Sequence, residues 1–271
     1  MKAFLRWAGS KKQLLPTLED YWNGNGTYYE PFAGSSCLFF HLEPSSAVLG
    51  DINSELIDTL RAVRNQSSGV VSELENLRPG KRHYDLLRKT DPADLSARAR
   101  AARFIHLNRN CFNGLYRTNA SGQFNVPFGR HKTKRRFDTD LLLQASKLLR
   151  NATLVNDDFE KTVSSAKAGD LVYLDPPYFT STKRVFAEYG PKTFNQTDLE
   201  RLRRCVARLH KRKVRFVLSY LYDKDSRSLF GNWFTRRIRI RRNIAGFAGA
   251  RKGSYELLVT NVDCEGTLIS V

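Results

Sequence analysis

Apolar and polar positions divide the chain into two stretches of alternating strands and helices with a different segment between them. In the first stretch, apolar runs predict strands over 27–32 (TYYEPF) and 47–51 (AVLGD), and helical spacing predicts a helix over 53–64. From residue 148 onward five more strand-like runs follow, namely ATLVND, DLVYLD, VRFVLS, RRIRIRR and YELLVTN. Strands that alternate with helices predict an α/β fold with a mostly parallel, doubly wound sheet.

One helix of the second stretch has a clear predicted beginning. Thr197 and Glu200 have the S/T-x-x-E spacing of a capping box, in which side chains satisfy free N–H groups of the first turn. Apolar residues then recur on one face, at positions 199, 202, 206 and 209. The pattern predicts a helix from Asp198 to about Lys213.

Residues 65–147 differ from both stretches and are predicted to form a mostly helical insertion. A helical pattern, SARARAARFIHL, precedes the polar tract NRNCFNGLYRTNASGQFNVPFGRHKTKRR. Long irregular segments within compact domains are usually functional, whereas disorder is the alternative. The predicted organisation is therefore one main domain, formed by residues 1–64 and 148–271, interrupted by the insertion.

The charge of the chain narrows the class of partner. The 45 Lys and Arg residues exceed the 27 Asp and Glu residues, which gives a net charge of +18 at pH 7. Such an excess is typical of proteins that bind a polyanion, so nucleic acid is the expected partner, with a cationic surface kept for solubility as the alternative. In RRIRIRR, Ile238 and Ile240 share one face and Arg237, Arg239 and Arg241 the other. This predicts a half-buried strand whose arginines face either DNA or water.

Residue spacing and hydropathy give expectations about metals and membranes. The four cysteines and five histidines lack the spacing of metal ligands, so no metal is expected and the cysteines are expected to be reduced. No apolar run approaches the roughly 18 residues of a membrane span, and no signal peptide is recognised. We expect a cytoplasmic protein, associated with the nucleoid if it binds DNA. The oligomeric state stays open, with a monomer favoured.

The first strand leads into a turn of small residues that suits an adenosine-containing ligand. In YYEPFAGSS, Gly34, Ser35 and Ser36 allow a ligand close to the backbone, and Asp51 ends the next strand. At that place in a doubly wound sheet an acid can accept hydrogen bonds from two ribose hydroxyls. The lack of G-x-G-x-x-G argues against a pyrophosphate and NAD. The alternative is an ordinary turn with Asp51 as a helix N-cap.

An acceptor-rich motif ends the buried strand LVYL, where Asp175, Pro176, Pro177 and Tyr178 follow directly. Proline lacks an N–H and holds the preceding residue extended, so the turn is stiff and its carbonyl oxygens stay free. The Asp175 carboxylate and the Pro176 carbonyl then offer two hydrogen-bond acceptors beside the flat Tyr178 ring. A simple turn after a strand is the alternative.

Two acceptors and a ring suit the methylation of an exocyclic amine on a planar base. The lone pair of such an amine is delocalised into the ring, which makes the nitrogen a poor nucleophile. If both N–H bonds are held by acceptors, the lone pair localises and can attack an electrophilic methyl group, while the carboxylate stabilises the developing positive charge. A base in a duplex must be flipped out to reach such a site, and stacking on Tyr178 would hold it.

Together these motifs resemble the Dam-type (D12 class, alpha group) DNA adenine-N6 methyltransferases over nearly the whole chain. FLRWAGSKKQLL resembles the family's W-x-G-G-K motif, YYEPFAGSS its E-P-F-x-G-x-G turn, GDIN its ribose acid and LVYLDPPY its catalytic motif. NRNCFNGLYRTNASGQFNVPFGR resembles its insertion segment. The resemblance implies a Rossmann-like, S-adenosylmethionine-dependent methyltransferase sheet with a target-recognition insertion, acting on duplex DNA.

The resemblance implies S-adenosylmethionine as methyl donor and a set of residues that bind it. That set is Trp7, Lys11, Glu30, Phe32, Gly34, Asp51, Asp158, Phe159 and Asp175. Asp158 and Phe159, in DDFEK, would lie at the cofactor's adenine. Ser10 and Ser36 depart from the pattern, because the family has glycine at both positions. If either backbone needs a positive φ, serine costs on the order of 1 kcal/mol, and cofactor binding would weaken.

The resemblance also assigns DNA contacts to the insertion, at Phe112, Asn113, Arg117 and Arg130. Phe112 would wedge into the duplex with Asn113 beside it, and Arg117 would read a guanine edge with its forked guanidinium. Phe112 as a core residue and Arg117 as a phosphate contact are the alternatives. Similarity around FNGLYRTN to enzymes that act on GATC makes that tetranucleotide the first candidate site.

The expected function is site-specific adenine-N6 methylation of DNA, with Asp175, Pro176, Pro177 and Tyr178 as the catalytic residues. Cytosine-N4 methylation poses the same amine problem, although S-P-P-Y is more usual for it. A catalytically silent relative that keeps only the DNA-binding fold is the other alternative. An accompanying restriction nuclease stays open, as does the role of residues 243–254, either a loop near DNA or a plain hairpin connection.

Overall fold

The computed structural model describes residues 1–119, 121–129, 137–179, 194–240, 254–263 and 267–269. Seven strands in this part of the chain form one sheet: β1 (Tyr28–Glu30), β2 (Ala47–Gly50), β3 (Ala152–Val155), β4 (Leu171–Leu174), β5 (Arg215–Leu221), β6 (Phe234–Ile240) and β7 (Ser254–Thr260). Their order is β3-β2-β1-β4-β5-β7-β6. β1 to β5 pair in parallel, whereas β7 is antiparallel to β5 and β6. The predicted α/β, Rossmann-like sheet is confirmed.

Helices cover both faces of the sheet. The helices are α1 (Leu15–Leu18), α2 (Cys37–Leu42), α3 (Ser54–Asn76), α4 (Lys81–Lys89), α5 (Ala97–Asn110), α6 (Thr139–Leu149), α7 (Phe159–Thr162), α8 (Gln196–Lys211) and α9 (Lys224–Phe230), with 3-10 turns at Glu19–Tyr21, Pro92–Asp94 and Phe112–Gly114. Leu171 and Tyr173 of β4 pack in one hydrophobic core with residues of α2, α3, α5 and α6. Val172 and Leu174 point the other way, into a core with α7, α8 and α9. Alternation along one buried strand therefore separates two helical layers.

The parallel register brings the ends of several strands to one edge of the sheet. Tyr28 of β1 pairs with Ala47 of β2 on one side and with Leu171 of β4 on the other. The strand order reverses between β1 and β4, and doubly wound sheets bind ligands at such a switch point. Asp51 and Asp175, which directly follow β2 and β4, therefore belong to the same ligand-binding edge.

The predicted insertion packs against a helix that crosses its expected boundary. α3 continues to Asn76 without ending at residue 64, and its helical geometry breaks at Gln66 (φ −140°, ψ 37°). It packs on α5 and α6. β-bridges join Cys111 to Phe128 and Thr118 to Phe124, so the polar tract forms an antiparallel hairpin, called the insertion hairpin below. The division of the chain at residues 64 and 147 stays a proposal.

Two local predictions are settled by the described residues. α8 begins at Gln196 with Asn195 as its N-cap, because the Asn195 side chain accepts from the N–H groups of Thr197 and Asp198 while Asp198 accepts from Asn195 N. The predicted cap at Thr197 is therefore wrong. On β6, Ile240 is buried and Arg239 exposed, which agrees with a half-buried strand.

Close approach of α7 to β2 leads to a prediction about Gly50. A Cβ added at Gly50 would lie 2.3 Å from Thr162 Oγ1 and 2.5 Å from its Cγ2 atom. Gly50→Ala should lower the free energy of unfolding by about 1–3 kcal/mol, since neither backbone can move without disturbing a packed core. Urea denaturation measures the change.

Gly69→Ala is the matched control. A Cβ there meets only the flexible Arg98 side chain, 2.5 Å from its Cδ atom. Because alanine favours a helix over glycine by up to about 1 kcal/mol, this variant should be neutral or more stable. Equal destabilisation by both variants would contradict a specific clash between β2 and α7.

Candidate active site

Asp175 directly follows β4 and is held from two sides. Lys11 Nζ lies 2.6 Å from its Oδ1 atom, and the Ser219 hydroxyl of β5 donates to the same atom at 3.1 Å. The Lys11 ammonium also donates to the Gly9 carbonyl at 3.0 Å. Among the described residues, none donates to Asp175 Oδ2 or to the Pro176 carbonyl. Two acceptors at the end of β4 are therefore available to a ligand.

The aromatic residue of the motif is anchored by its hydroxyl. Tyr178 donates to the Glu256 carboxylate of β7, with 2.7 Å to each carboxylate oxygen. Its ring meets Tyr220 edge-on with 5.2 Å between ring centres, and the Lys11 ammonium lies 5.2 Å above the ring. Pro177 joins this anchored ring to the acceptor pair. The two ends of the motif are thus fixed by side chains of neighbouring strands.

The turn after β1 requires glycine at position 34. Gly34 has φ +46°, and a Cβ there would lie 2.8 Å from the Trp7 ring. Its N–H donates to Asp51 Oδ2 at 3.0 Å, and the Asn53 N–H donates to Oδ1 at 2.9 Å. Asn53 caps α3, because its side chain accepts from Leu56 N, so the alternative of Asp51 as N-cap is wrong. Each Asp51 oxygen keeps a lone pair for a ligand hydroxyl.

Burial changes the acidity of the carboxyl groups at this edge. Glu30, 3% exposed, accepts from the Tyr28 hydroxyl at 3.0 Å and from Phe39 N at 3.3 Å. Desolvation nevertheless raises the pKa of Glu30 to about 8, and the charges of Asp175 and Asp51 add to the increase. Burial also raises the pKa of Asp51. Glu30 is therefore mainly protonated at pH 7.

Of the two serines that replace a family glycine, only Ser36 has a left-handed backbone. Its φ is 50°, whereas Ser10 does not have a positive φ. Ser36 is 1% exposed, and its hydroxyl has no hydrogen-bond partner among the residues described. The predicted conformational cost of serine therefore applies at Ser36 and not at Ser10.

The segment after β3 packs against the turn that follows β1. Phe159, the first residue of α7, stacks on Phe32 with 5.2 Å between ring centres and 26° between planes. Asp158 caps α7 by accepting from Glu160 N at 3.0 Å. Arg201 of α8 pairs with Asp158 at 2.6 Å and lies 4.9 Å from the Phe159 ring centre. Because Phe159 is 4% exposed, the half-buried Phe32 is the ring of this pair that a planar group can reach, while Arg201 already engages Asp158.

The N-terminal segment joins this edge of the sheet to the insertion. Trp7 stacks on Tyr116 with 5.7 Å between ring centres and 16° between planes. The Tyr116 hydroxyl donates to Glu55 at 2.8 Å. Asn108 of α5 accepts from Arg6 N at 2.9 Å and donates to the Arg6 carbonyl at 2.6 Å. The insertion therefore directly contacts the N-terminal segment, whose Trp7 ring packs against Gly34.

Of the predicted DNA-contacting residues, Phe112, Asn113 and Arg117 lie on the insertion hairpin. Phe112 is 42% exposed, so the alternative of a core residue is wrong. Asn113 has a left-handed backbone, with φ 54°. Arg117 donates from Nε to Asn125 Oδ1 at 2.7 Å across the hairpin. Arg130 lies outside the described residues. The DNA groups that these side chains contact stay predictions.

Three residues in contact with the predicted set were not recognised in the sequence: Ser219, Glu256 and Tyr116. Ser219 and Glu256 are polar residues that interrupt the apolar runs FVLSY and YELLV. Because buried polar groups need hydrogen-bond partners, that interruption is a usable signal. Tyr116 offers no comparable signal, since aromatic residues are frequent throughout its tract.

The described residues also bear on metal binding and on membrane insertion. In the part of the chain that the structure describes, no group of three or more His, Cys, Asp or Glu side chains could hold a metal ion. No described helix combines the length and the hydropathy needed to cross a bilayer.

The sheet and the motif at its carboxyl edge define a Rossmann-like methyltransferase, a class whose methyl donor is S-adenosylmethionine. The family model for D12 class N6 adenine-specific DNA methyltransferases matches residues 7–244. The chain belongs to this family, and its substrate class is duplex DNA. The family and the adenine specificity predicted from the motifs are confirmed.

Similar proteins include Type II methyltransferases and DNA adenine methylases. Type II methyltransferase M1.LlaDCHI of Lactococcus lactis subsp. cremoris is 35% identical, covering 96% of this chain and 95% of that protein. Type II methyltransferase M.MjaIII of Methanocaldococcus jannaschii is also 35% identical, covering 96% and 99%. DNA adenine methylase of Escherichia coli K12 is 30% identical, covering 95% and 94%.

The raised pKa of Glu30 leads to a prediction about pH. The pKa is about 4.3 in an unfolded chain and about 8 in the fold. Between these values the folded state keeps a proton that the unfolded state has released, so stability falls as pH rises, by at most about 1.4 kcal/mol per pH unit. Glu30→Gln removes this contribution, so its stability relative to wild type should increase from pH 5 to pH 8 in urea denaturation.

The exposed Glu75→Gln on α3 is the control and should follow the wild-type pH profile. A stability difference between wild type and Glu30→Gln that stays constant from pH 5 to pH 8 would contradict a proton held by Glu30.

Proposed function

We propose that this chain transfers the methyl group of S-adenosylmethionine to the N6 amine of a flipped-out adenine, with Asp175 as the central catalytic residue. The observation that carries the proposal is the asymmetry of the Asp175 carboxylate. Lys11 and Ser219 occupy Oδ1, whereas Oδ2 and the Pro176 carbonyl accept from no described residue. An amine has two N–H bonds, and these two acceptors match them.

The residues at this edge fit S-adenosylmethionine. Asp51 keeps lone pairs for ribose hydroxyls, the half-buried Phe32 ring, packed on Phe159, suits the adenine, and the buried Ser36 hydroxyl has no described partner. When bound, the cofactor supplies an electrophilic methyl group on a positively charged sulfur. The proposed cofactor set is Trp7, Lys11, Glu30, Phe32, Gly34, Asp51, Asp158, Phe159 and Asp175.

The geometry at Asp175 supports a way of activating the N6 amine of adenine, which is a weak nucleophile. Asp175 Oδ2 and the Pro176 carbonyl accept the two N–H bonds of the amine, so that its lone pair localises on nitrogen. The positive charge that would develop on nitrogen as it takes up the methyl group would be stabilised by the Asp175 carboxylate. The methylated nitrogen then releases a proton to water. Because Lys11 and Ser219 hold Oδ1, Oδ2 is presented in one orientation.

We also propose how DNA is engaged. The exposed Phe112 fills the gap left by the flipped adenine, whose ring stacks on Tyr178. Asn113, Arg117 and Arg130 contact the duplex around the target, and GATC is the proposed site. Residues 65–147 act as the target-recognition insertion of the catalytic domain 1–64 and 148–271. The enzyme is proposed to act as a monomer in the cytoplasm, bound to DNA.

The reaction and its central residue are tested together with Asp175→Asn. Wild-type protein, duplex DNA and methyl-labelled S-adenosylmethionine should yield N6-methyladenine, identified by nucleoside mass spectrometry. Asp175→Asn should lower the rate by about 10²- to 10³-fold, because loss of a preorganised charge at the developing cation removes stabilisation of this size. The exposed Asp140→Asn should keep the wild-type rate.

Each contrary outcome of that experiment has a distinct meaning. Wild-type rates for Asp175→Asn would overturn the assigned role of the carboxylate. N4-methylcytosine in the product would establish the cytosine alternative. Absence of transfer to any DNA by wild-type protein would establish a catalytically silent relative.

The recognition sequence is tested by mapping methylated adenines on a plasmid isolated without methylation. We expect methylation at GATC, and Arg117→Ala should reduce the preference for GATC over sequences that differ at a guanine by about ten- to hundredfold, since a bidentate guanine contact contributes about 1–3 kcal/mol. Arg203→Ala, an exposed arginine of α8, is the control. Uniformly weaker methylation at all sites by Arg117→Ala would instead indicate a phosphate contact.

A further inference from the structure

Glu256 is a buried acid that precedes the apolar run Leu257–Val259 of β7. It is 2% exposed, lies opposite Leu221 of β5 and Ile238 of β6, and is followed by Leu257 and Leu258. Burying a carboxylate in such surroundings is costly unless hydrogen bonds satisfy it. Because the fold could be built with an apolar residue at this position, a buried acid here suggests a function in addition to packing.

One partner of Glu256 belongs to the catalytic motif. The Tyr178 hydroxyl lies 2.7 Å from both oxygens of the Glu256 carboxylate. A hydrogen bond to a charged acceptor is roughly twice as strong as one between neutral groups. The contact joins β7 to the turn after β4 and fixes the far end of the Tyr178 side chain.

The segment after the motif is held at a second point. Phe179 N donates to the Tyr220 hydroxyl at 2.9 Å, and the Tyr220 ring meets the Tyr178 ring edge-on. The Tyr178 ring packs on Tyr220, and its hydroxyl is bound by Glu256. These two contacts hold the ring in one orientation. A ring that is already oriented loses little freedom when a base stacks on it.

We propose that Glu256 is a positioning residue, which holds the Tyr178 ring in the orientation that receives the flipped base. The proposal rests on the function proposed above. Glu256 acts through the Tyr178 hydroxyl and does not itself touch the substrate or the methyl donor. Its removal should therefore affect base capture and the methylation rate, with little effect on S-adenosylmethionine binding.

The test uses Tyr178→Phe, Glu256→Gln and the double variant. Tyr178→Phe keeps the ring and removes only the hydroxyl, and Glu256→Gln keeps the shape and removes the charge. The DNA is a duplex with the sequence that wild-type protein methylates on plasmid, carrying 2-aminopurine at the target adenine. Its fluorescence rises when the base leaves the stack, which measures flipping independently of methyl transfer.

Each single variant should reduce the single-turnover rate on the unmodified duplex by about tenfold, the size expected for a charge-assisted hydrogen bond. Each should also reduce the 2-aminopurine signal, while the Kd for S-adenosylmethionine stays within about twofold. The double variant should resemble Tyr178→Phe, because Glu256 has no further effect once the hydroxyl is absent. Tyr29→Phe, which removes a hydroxyl that contacts Ser165, should behave as wild type.

Two outcomes would overturn the proposal. One is a Glu256→Gln variant that unfolds at lower urea concentration but flips and methylates as wild type does, which would mean a structural role only. The other is an equal effect of Glu256→Gln in the wild-type and Tyr178→Phe backgrounds, which would mean that Glu256 does not act through the hydroxyl. Failure of wild-type protein to methylate DNA would instead refute the proposed function, and it is seen before any variant is compared.

Discussion

The ion pair between Lys11 and Asp175 joins the beginning of the chain to the end of β4 across 164 positions. Removing two charges from water costs several kcal/mol per ion unless other hydrogen bonds complete their surroundings. Here the Gly9 carbonyl accepts from Lys11 and the Ser219 hydroxyl donates to Asp175. Such a pair contributes modestly to stability, but it fixes which oxygen of the catalytic carboxylate is occupied. The chemistry proposed for Oδ2 depends on that choice.

The same N-terminal segment also controls how the insertion meets the catalytic domain. Asn108 holds the Arg6 backbone from α5, and Trp7 lies between Gly34 and Tyr116. Gly114 in the insertion hairpin approaches so closely that a Cβ there would lie 2.8 Å from Arg6 Cβ. If DNA displaced the insertion hairpin, the movement would therefore be transmitted to the turn at Gly34 through packed side chains and not through a flexible linker. Contiguous packing of this kind provides a physical route by which target recognition can be coupled to catalysis.

The sequence predicted what depends on short spacing and missed what depends on distant contacts. The sheet, the placement of Gly34 and Asp51 at the same edge and the acceptor pair at Asp175 follow from strand ends that any parallel register brings together. The pairing of Tyr178 with Glu256 spans 78 positions, and only the sheet order reveals it. The incorrect N-cap of α8 has a local cause. Asn195 and Asp198 form a capping box as effectively as Thr197 and Glu200 would, and the sequence does not show which of two overlapping capping boxes forms.

Several residues at the carboxyl edge of the sheet depart from the usual preferences for backbone conformation and for the burial of polar groups. Ser36 adopts a left-handed backbone with a buried hydroxyl that no described residue satisfies, Glu30 is buried with a pKa of about 8, and desolvation raises the pKa of Asp51. Each feature costs free energy of folding, and the two apolar cores on either side of β4 offset that cost. Strain and unsatisfied groups of this kind persist where the surrounding structure determines them and a ligand relieves them. Their presence around Gly34 and Asp51, next to Asp175, therefore supports a cofactor site there by an observation that does not depend on sequence motifs.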